Sequence, residues 1–322
     1  MAPRSAGCGA ETPQRNDKSI GDDMAISDSL GDLRTLEIED GCIEYRIRGG
    51  GPGPAVVFLH GIIANADVWR GVVSDLASDH RCVAPDWPLG GHRLGMRPGT
   101  DFSLPGIARM VERFLVAAGL DQVVLVANDT GGAVAQYVAA AHPQRIAGLV
   151  LTPCDAFDNF PPPPIRHLRL FGRTTWGLWL LAQTLRWRFV QRLPIAFGLL
   201  TERPIPAAIM RSYTGPLRDY ASTRRDFAAL VRQIHPRYTI DVAPRLASYR
   251  RPVLLVWARE RRRFFPLDHA HRLAAIFPDA RVEIIEDSGP FVTEDQPAAV
   301  AAAIRRFVAG QVPHRAEITA PS

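Results

Sequence analysis

The stretch that most constrains this chain runs from Gln122 to His142. Its first part, Val123 to Ala127, is an unbroken apolar run, the pattern of a strand buried on both faces of a parallel sheet. Its last part is Ala-rich and free of proline, a good helix former. Between them Asn128-Asp129-Thr130-Gly131-Gly132 must turn the chain sharply, and small residues at Ala127, Gly131 and Gly132 let strand and helix approach closely. A strand–turn–helix of this kind lifts Asp129 above the sheet edge. The backbone N–H of Thr130 and the helix N-terminus then face the same space, where they stabilise negative charge. The plainer alternative makes Asp129 an ordinary helix N-cap.

Composition narrows the function classes. With 322 residues, 47% of them hydrophobic, the chain has material for one domain with an insertion, or for two domains. The net charge of +5 comes almost entirely from arginine: Lys18 is the sole lysine, in a polar N-terminal tail. Schiff-base and pyridoxal-phosphate chemistry need a buried amine, so both are excluded. The basic balance lacks a nucleic-acid-binding motif or interleaved aromatics, and reads as a solvated surface with no nucleic-acid partner. Cys8, Cys42, Cys82 and Cys154 show no paired spacing, which supports neither a disulfide framework nor a zinc site. No metal cluster and no cofactor are expected. Residues 1–33 are rich in Gly, Ser, Asp and Pro without the apolar core of a signal peptide, and read as a disordered leader, or a misassigned start, on a protein expected to be cytoplasmic. The apolar run Trp176 to Ala182, bounded by Arg173 and Arg186, is too short to span a bilayer, so no membrane partner is expected. Assembly into a homo-oligomer is left open.

The remaining chain alternates strands and helices. Leu36 to Glu39 and Ile43 to Ile47 predict an antiparallel pair, and Ala55 to Leu59 a buried strand ending in His60-Gly61-Ile62. A helix over Asp67 to Leu76 buries Trp69; strands follow at Arg81 to Asp86 and Ala147 to Leu151, with an amphipathic helix at Leu104 to Ala118 between them. Pro161 to Pro164 then breaks regular structure, and residues 166–243 are helical, aromatic and rich in arginine. Strands return at Pro252 to Trp257 and Val282 to Ile285, with a helix at Leu267 to Ile276. A last helix is expected from about Glu294 to Ala309, with Thr293 and Gln296 as a capping box and Gly310 as its stop. The alternation over residues 55–310 predicts an α/β fold with a mostly parallel central sheet covered by helices on both faces.

His60-Gly61 after a buried strand, Asp129 at the apex of the turn and Gly131-Gly132 behind it resemble the α/β-hydrolase superfamily. An Asp apex looks like the branch of haloalkane dehalogenases and epoxide hydrolases. The resemblance implies a core of residues 34–155 and 246–311, a helical cap at 156–245 and a tail at 312–322. It implies Asp129 as nucleophile, with the N–H groups of Ile62 and Thr130 as an oxyanion hole and a small, largely apolar substrate. A carboxylate is ionised at neutral pH and suits displacement at an alkyl carbon; a base-activated water then cleaves the ester. In the cap, Trp176, Trp179, Trp187, Phe189 and Tyr213 are expected to pack core or line the cavity.

The triad that the resemblance implies is incomplete. The usual acid position, about four residues past Trp257, is Arg261; Glu260 beside it, or Asp155 after the strand following the turn, could stand in. The usual base position is Pro290, and proline accepts no proton. Of the histidines, His92 is the one expected near Asp129, whereas His142, His167, His235, His269 and His271 read as poorly placed. His60 reads as held by loop backbone. Thr130 replaces the tryptophan by which dehalogenases hold halide, and Ile63 stands where epoxide hydrolases carry proline. Tyr213, Tyr220 and Tyr238 are the candidate epoxide-protonating tyrosines. Two alternatives stand beside hydrolysis: a lyase-like or cofactor-free enzyme using Asp129 as acid or base, and a non-catalytic protein that binds a small ligand.

Overall fold

The computed structural model describes residues 28–259 and 264–311. It opens with β1 (Asp32–Ile38) and β2 (Gly41–Arg48), followed by β3 (Val56–Leu59), α1 (Arg70–Leu76), β4 (Cys82–Pro85) and α2 (Leu104–Ala117). Next come β5 (Val123–Asp129), α3 (Thr130–Ala141) and β6 (Ile146–Cys154). Six helices are inserted after β6: α4 (Leu168–Phe171), α5 (Thr175–Thr184), α6 (Arg188–Gln191), α7 (Ala207–Asp219), α8 (Ala221–Gln233) and α9 (Arg237–Val242). The chain then returns through β7 (Val253–Ala258), α10 (Leu267–Ile276), β8 (Ala280–Ile285), α11 (Val292–Asp295) and α12 (Pro297–Gln311).

These strands form one eight-stranded sheet in the order β1-β2-β4-β3-β5-β6-β7-β8. β2 is antiparallel to both its neighbours, and β4 through β8 run parallel. Every residue of β3, β5, β6 and β7 is buried, so both faces of the sheet's centre are covered. That is why those strands read as unbroken apolar runs rather than alternating ones. β5 lies between β3 and β6, which puts its C-terminal residue, Asp129, beside the ends of two neighbours.

Several expectations need correction. The leader does not extend to residue 33: Asp28–Leu30 forms a short helical turn with Leu30 in the core, and β1 begins at Asp32. Burial of Leu30 and backbone pairing of Asp32 with Ile47 hold this segment. Residues 1–27 and 312–322 lie outside the described residues. The last helix is split, because Pro297 begins α12 after a break at Gln296. The capping box does not form, and the buried Thr293 hydroxyl has no partner. α12 also runs past Gly310 to Gln311. Cys82 and Cys154 are free and buried, but Cys42 is disulfide-bonded, a pairing that sequence spacing did not suggest. In the insert only Tyr213 is buried as expected; Trp176, Trp179, Trp187 and Phe189 are all exposed.

Candidate active site

The turn after β5 is built from backbone constraints. Asp129 takes φ 54° and ψ −132°, a conformation that typically costs a non-glycine residue about 1–3 kcal/mol and persists only where the surroundings impose it. The surroundings here are close. A Cβ at Gly61 would stand 2.0 Å from Asp129 Oδ2, and a Cβ at Gly131 would stand 2.5 Å from the carbonyl oxygen of His60. Glycine at both positions lets the loop after β3 and the start of α3 close on the carboxylate from two sides. As a result the backbone N–H groups of Ile62 and Thr130 both donate to Asp129.

Asp129 is 4% exposed. Burial raises its pKa to about 7, and the two N–H donors pull the other way without cancelling the desolvation. A second buried carboxyl lies close by. Asp155 accepts a hydrogen bond from Thr130 Oγ1 (2.8 Å), while its Oδ1 is buried with no partner. Burial drives the Asp155 pKa well up, and the charge of Asp129 drives it further. Two buried carboxyls this strongly linked resist carrying two charges, so Asp129 ionises first and Asp155 keeps its proton.

Asp129 faces a cavity of about 550 Å³, its mouth included. The walls are almost wholly apolar: Ile62 and Ile63 below, Leu181, Leu185 and Phe197 of the insert above. Among the described residues, one titratable side chain besides Asp129 lines it, His167, at the N-terminus of α4. Nothing in the sequence pattern distinguished His167 from the other histidines of the insert; a cavity assembled from two parts of the chain brings it to the site.

The other candidates fall elsewhere. His92 is buried against the insert, not in the cavity: its Nδ1 accepts from the N–H of Gly90 and its Nε2 donates to Asp226 of α8, each at 3.4 Å. The expectation that His92 faces Asp129 is therefore corrected, because Asp226 competes for its ring. His60 donates from Nδ1 to its neighbour Gly61 (2.9 Å) and accepts at Nε2 from the N–H of Trp87 (2.8 Å). Burial lowers its pKa to about 4, so it is a neutral strut between two loops. Pro290 stands beside Asn128, whose side-chain amide donates to the Pro290 carbonyl at 3.4 Å. Glu260 and Arg261 lie outside the described residues. Tyr213 donates to the carboxylate of Glu294 (2.5 Å) and Tyr238 to Gln233 (3.1 Å); neither they nor Tyr220 line the cavity.

The family model for the alpha/beta hydrolase fold matches residues 54–181. The chain has the α/β-hydrolase fold. Its relatives in sequence include haloalkane dehalogenases and another hydrolase. It is 29% identical to haloalkane dehalogenase 2 of Mycobacterium tuberculosis over 264 residues, covering 79% of this chain and 87% of that one. It is 26% identical to a 2-hydroxy-6-oxo-6-phenylhexa-2,4-dienoate hydrolase of Burkholderia cepacia over 259 residues, covering 78% and 87%. In fold it resembles a loop variant of a haloalkane dehalogenase from Bradyrhizobium elkanii, with TM-score 0.69 and 22% identity over 87% of this chain and 96% of that one.

Proposed function

We propose that this protein is a hydrolase of small, largely apolar molecules in which Asp129 attacks an electrophilic alkyl carbon. The observation that carries the reading is Asp129 at the floor of an apolar cavity, with the N–H groups of Ile62 and Thr130 on its carboxylate. One carboxylate oxygen forms the C–O bond as the leaving group departs with the electron pair of the broken bond. Water then adds to the ester carbonyl of Asp129, and the oxyanion that forms is stabilised by the same two N–H groups. Collapse releases the alcohol and restores the carboxylate. The water must lose a proton, and with Pro290 in place of a core histidine we assign that proton to His167. It is the histidine that lines the cavity among the described residues. Burial and the nearby charge of Asp129 hold Asp155 protonated, so the charge sits on Asp129 rather than being shared between two carboxyls.

The relatives named as haloalkane dehalogenases support alkyl halides as one substrate class. Thr130 spends its hydroxyl on Asp155 and offers halide no donor, so epoxides and activated esters belong in the same panel. One observation favours a second reading. A carboxyl that titrates near 7 is matched to acid–base work at neutral pH, as a lyase-like reaction needs. The two readings separate by intact mass. In a single turnover, small alkyl halides should add one equivalent transiently at Asp129 of the wild-type protein and none to Asp129→Asn. Turnover that survives in Asp129→Asn would refute both.

A further inference from the structure

The insert has a surface that its chemistry at Asp129 does not explain. Residues 159–201 contain six arginines and no Asp, Glu or Lys, so this segment alone exceeds the net charge of +5 carried by the whole chain. None of the six (Arg166, Arg169, Arg173, Arg186, Arg188, Arg192) is in an ion pair among the described residues. The same segment gathers the exposed apolar side chains. Of the eleven large hydrophobic residues exposed in the described structure, eight fall between Leu170 and Ile195. Leu170 is 75% exposed, Trp176 69%, Phe189 65% and Trp187 59%. Trp187 and Phe189 stack on each other in the open, centroids 5.9 Å apart and planes 12° apart.

Helix α5 makes the point within one element. Leu178 and Ala182 are buried, Leu181 faces the cavity, and the outward side carries Trp176, Trp179 and Leu180. A helix at a water-facing surface is ordinarily polar on its outer side, and one that is apolar all round ordinarily has an apolar phase there. Large apolar side chains exposed in such number within one segment mark it as an interaction surface.

We infer that this face of the insert docks on an anionic lipid surface. Tryptophan and arginine interleaved at Arg186-Trp187-Arg188-Phe189 suit the headgroup region, where aromatic rings enter the acyl boundary and guanidinium groups stay among phosphates. Charge argues against a second copy as occupant, because an isologous pairing would set this arginine-rich segment against itself. The expectation of no membrane partner rested on the length of the apolar run. That length bears on spanning a bilayer, and no helix among the described residues is long and apolar enough to do so; it says nothing of lying on one. Ile195 is both exposed and part of the cavity wall, so the docked face borders the cavity mouth. An apolar molecule dissolved in the lipid would then reach Asp129 without crossing water. That last step rests on the proposed function; the docking does not.

The test uses the whole protein with vesicles of phosphatidylcholine, with and without phosphatidylglycerol. It should sediment with the anionic vesicles, release in high salt, and shift its tryptophan emission to the blue, since three of the six tryptophans stand on this face. The combined change Trp176→Ala, Trp187→Ala and Phe189→Ala should weaken binding by about tenfold or more with an unchanged unfolding midpoint. Arg186→Glu with Arg188→Glu and Arg192→Glu should remove the preference for anionic lipid. Asp129→Asn should bind vesicles as the wild type does, which separates failure of the chemistry from failure of the docking. Wild-type protein left in the supernatant overturns the inference. So does binding that the aromatic changes leave intact, or a dimer in light scattering that anionic vesicles do not dissociate.

Discussion

Gly61→Ala is the perturbation that most directly probes the site. An added Cβ would stand 2.0 Å from Asp129 Oδ2, 2.4 Å from its Cβ and 2.5 Å from its Cγ, where ordinary contact begins at 3.4 Å. The shortfall exceeds 1 Å at the carboxylate oxygen. Asp129 has little freedom to yield, because its φ of 54° and the N–H groups of Ile62 and Thr130 hold it. Either the carboxylate or the loop after β3 must move. Forcing extra volume into a packed site typically costs about 1–3 kcal/mol of stability. A displacement of about 1 Å at a reacting group costs on the order of a hundredfold in rate. The assay is single-turnover labelling of Asp129 by a small alkyl halide, read by intact mass, beside denaturant unfolding of both proteins. Gly61→Ala should fold, lose stability within that range and label about a hundredfold more slowly. A variant that labels at the wild-type rate with unchanged stability would refute the close approach of Gly61 to the carboxylate, and with it the site geometry.

Titration of Asp129 has two consequences. Attack needs the ionised form, so the labelling rate should fall about tenfold per pH unit below about 7. Stability runs the other way: the folded state keeps the Asp129 proton up to about 7 against 3.8 for the free group, so this residue's contribution to stability falls as pH rises through that window. Above it a constant penalty of a few kcal/mol remains, and Asp129→Asn should melt higher than wild type at pH 8 and little differently at pH 4. His167→Ala should leave ester formation intact and slow its release by about 10²–10⁴-fold, so adduct accumulates; unchanged release would remove His167 from the mechanism. Arg70 of α1 holds the nearly buried Glu294 through two bonds of 2.6 and 2.7 Å, and Tyr213 of the insert shares that carboxylate. Arg70→Ala strands the charge and should cost about 3–5 kcal/mol by denaturant unfolding.

Much of this arrangement was legible in the sequence, because it depends on local rules. Val123 to Ala127 had to be a strand covered on both faces, and Gly131-Gly132 had to allow a tight join to a helix. Asp129 followed as the residue at the apex. His60-Gly61 marked the facing loop, since a glycine is needed wherever another chain approaches this closely. These are requirements of backbone geometry, and they leave their mark in consecutive residues.

Tertiary structure decided the rest, because it turned on which distant groups meet. Seven histidines were weighed by position along the chain, yet Asp226 draws His92 to the insert, while the cavity takes in His167. Asp155 was one acid among two in the sequence; only the fold shows its carboxyl bound to the Thr130 hydroxyl and sharing a buried environment with Asp129. Composition gave no sign of whether Trp176, Trp187 and Phe189 pack inward or stand out, since an apolar residue reads the same in a core and on a docking face. Burial separates the two, and burial belongs to the assembled chain.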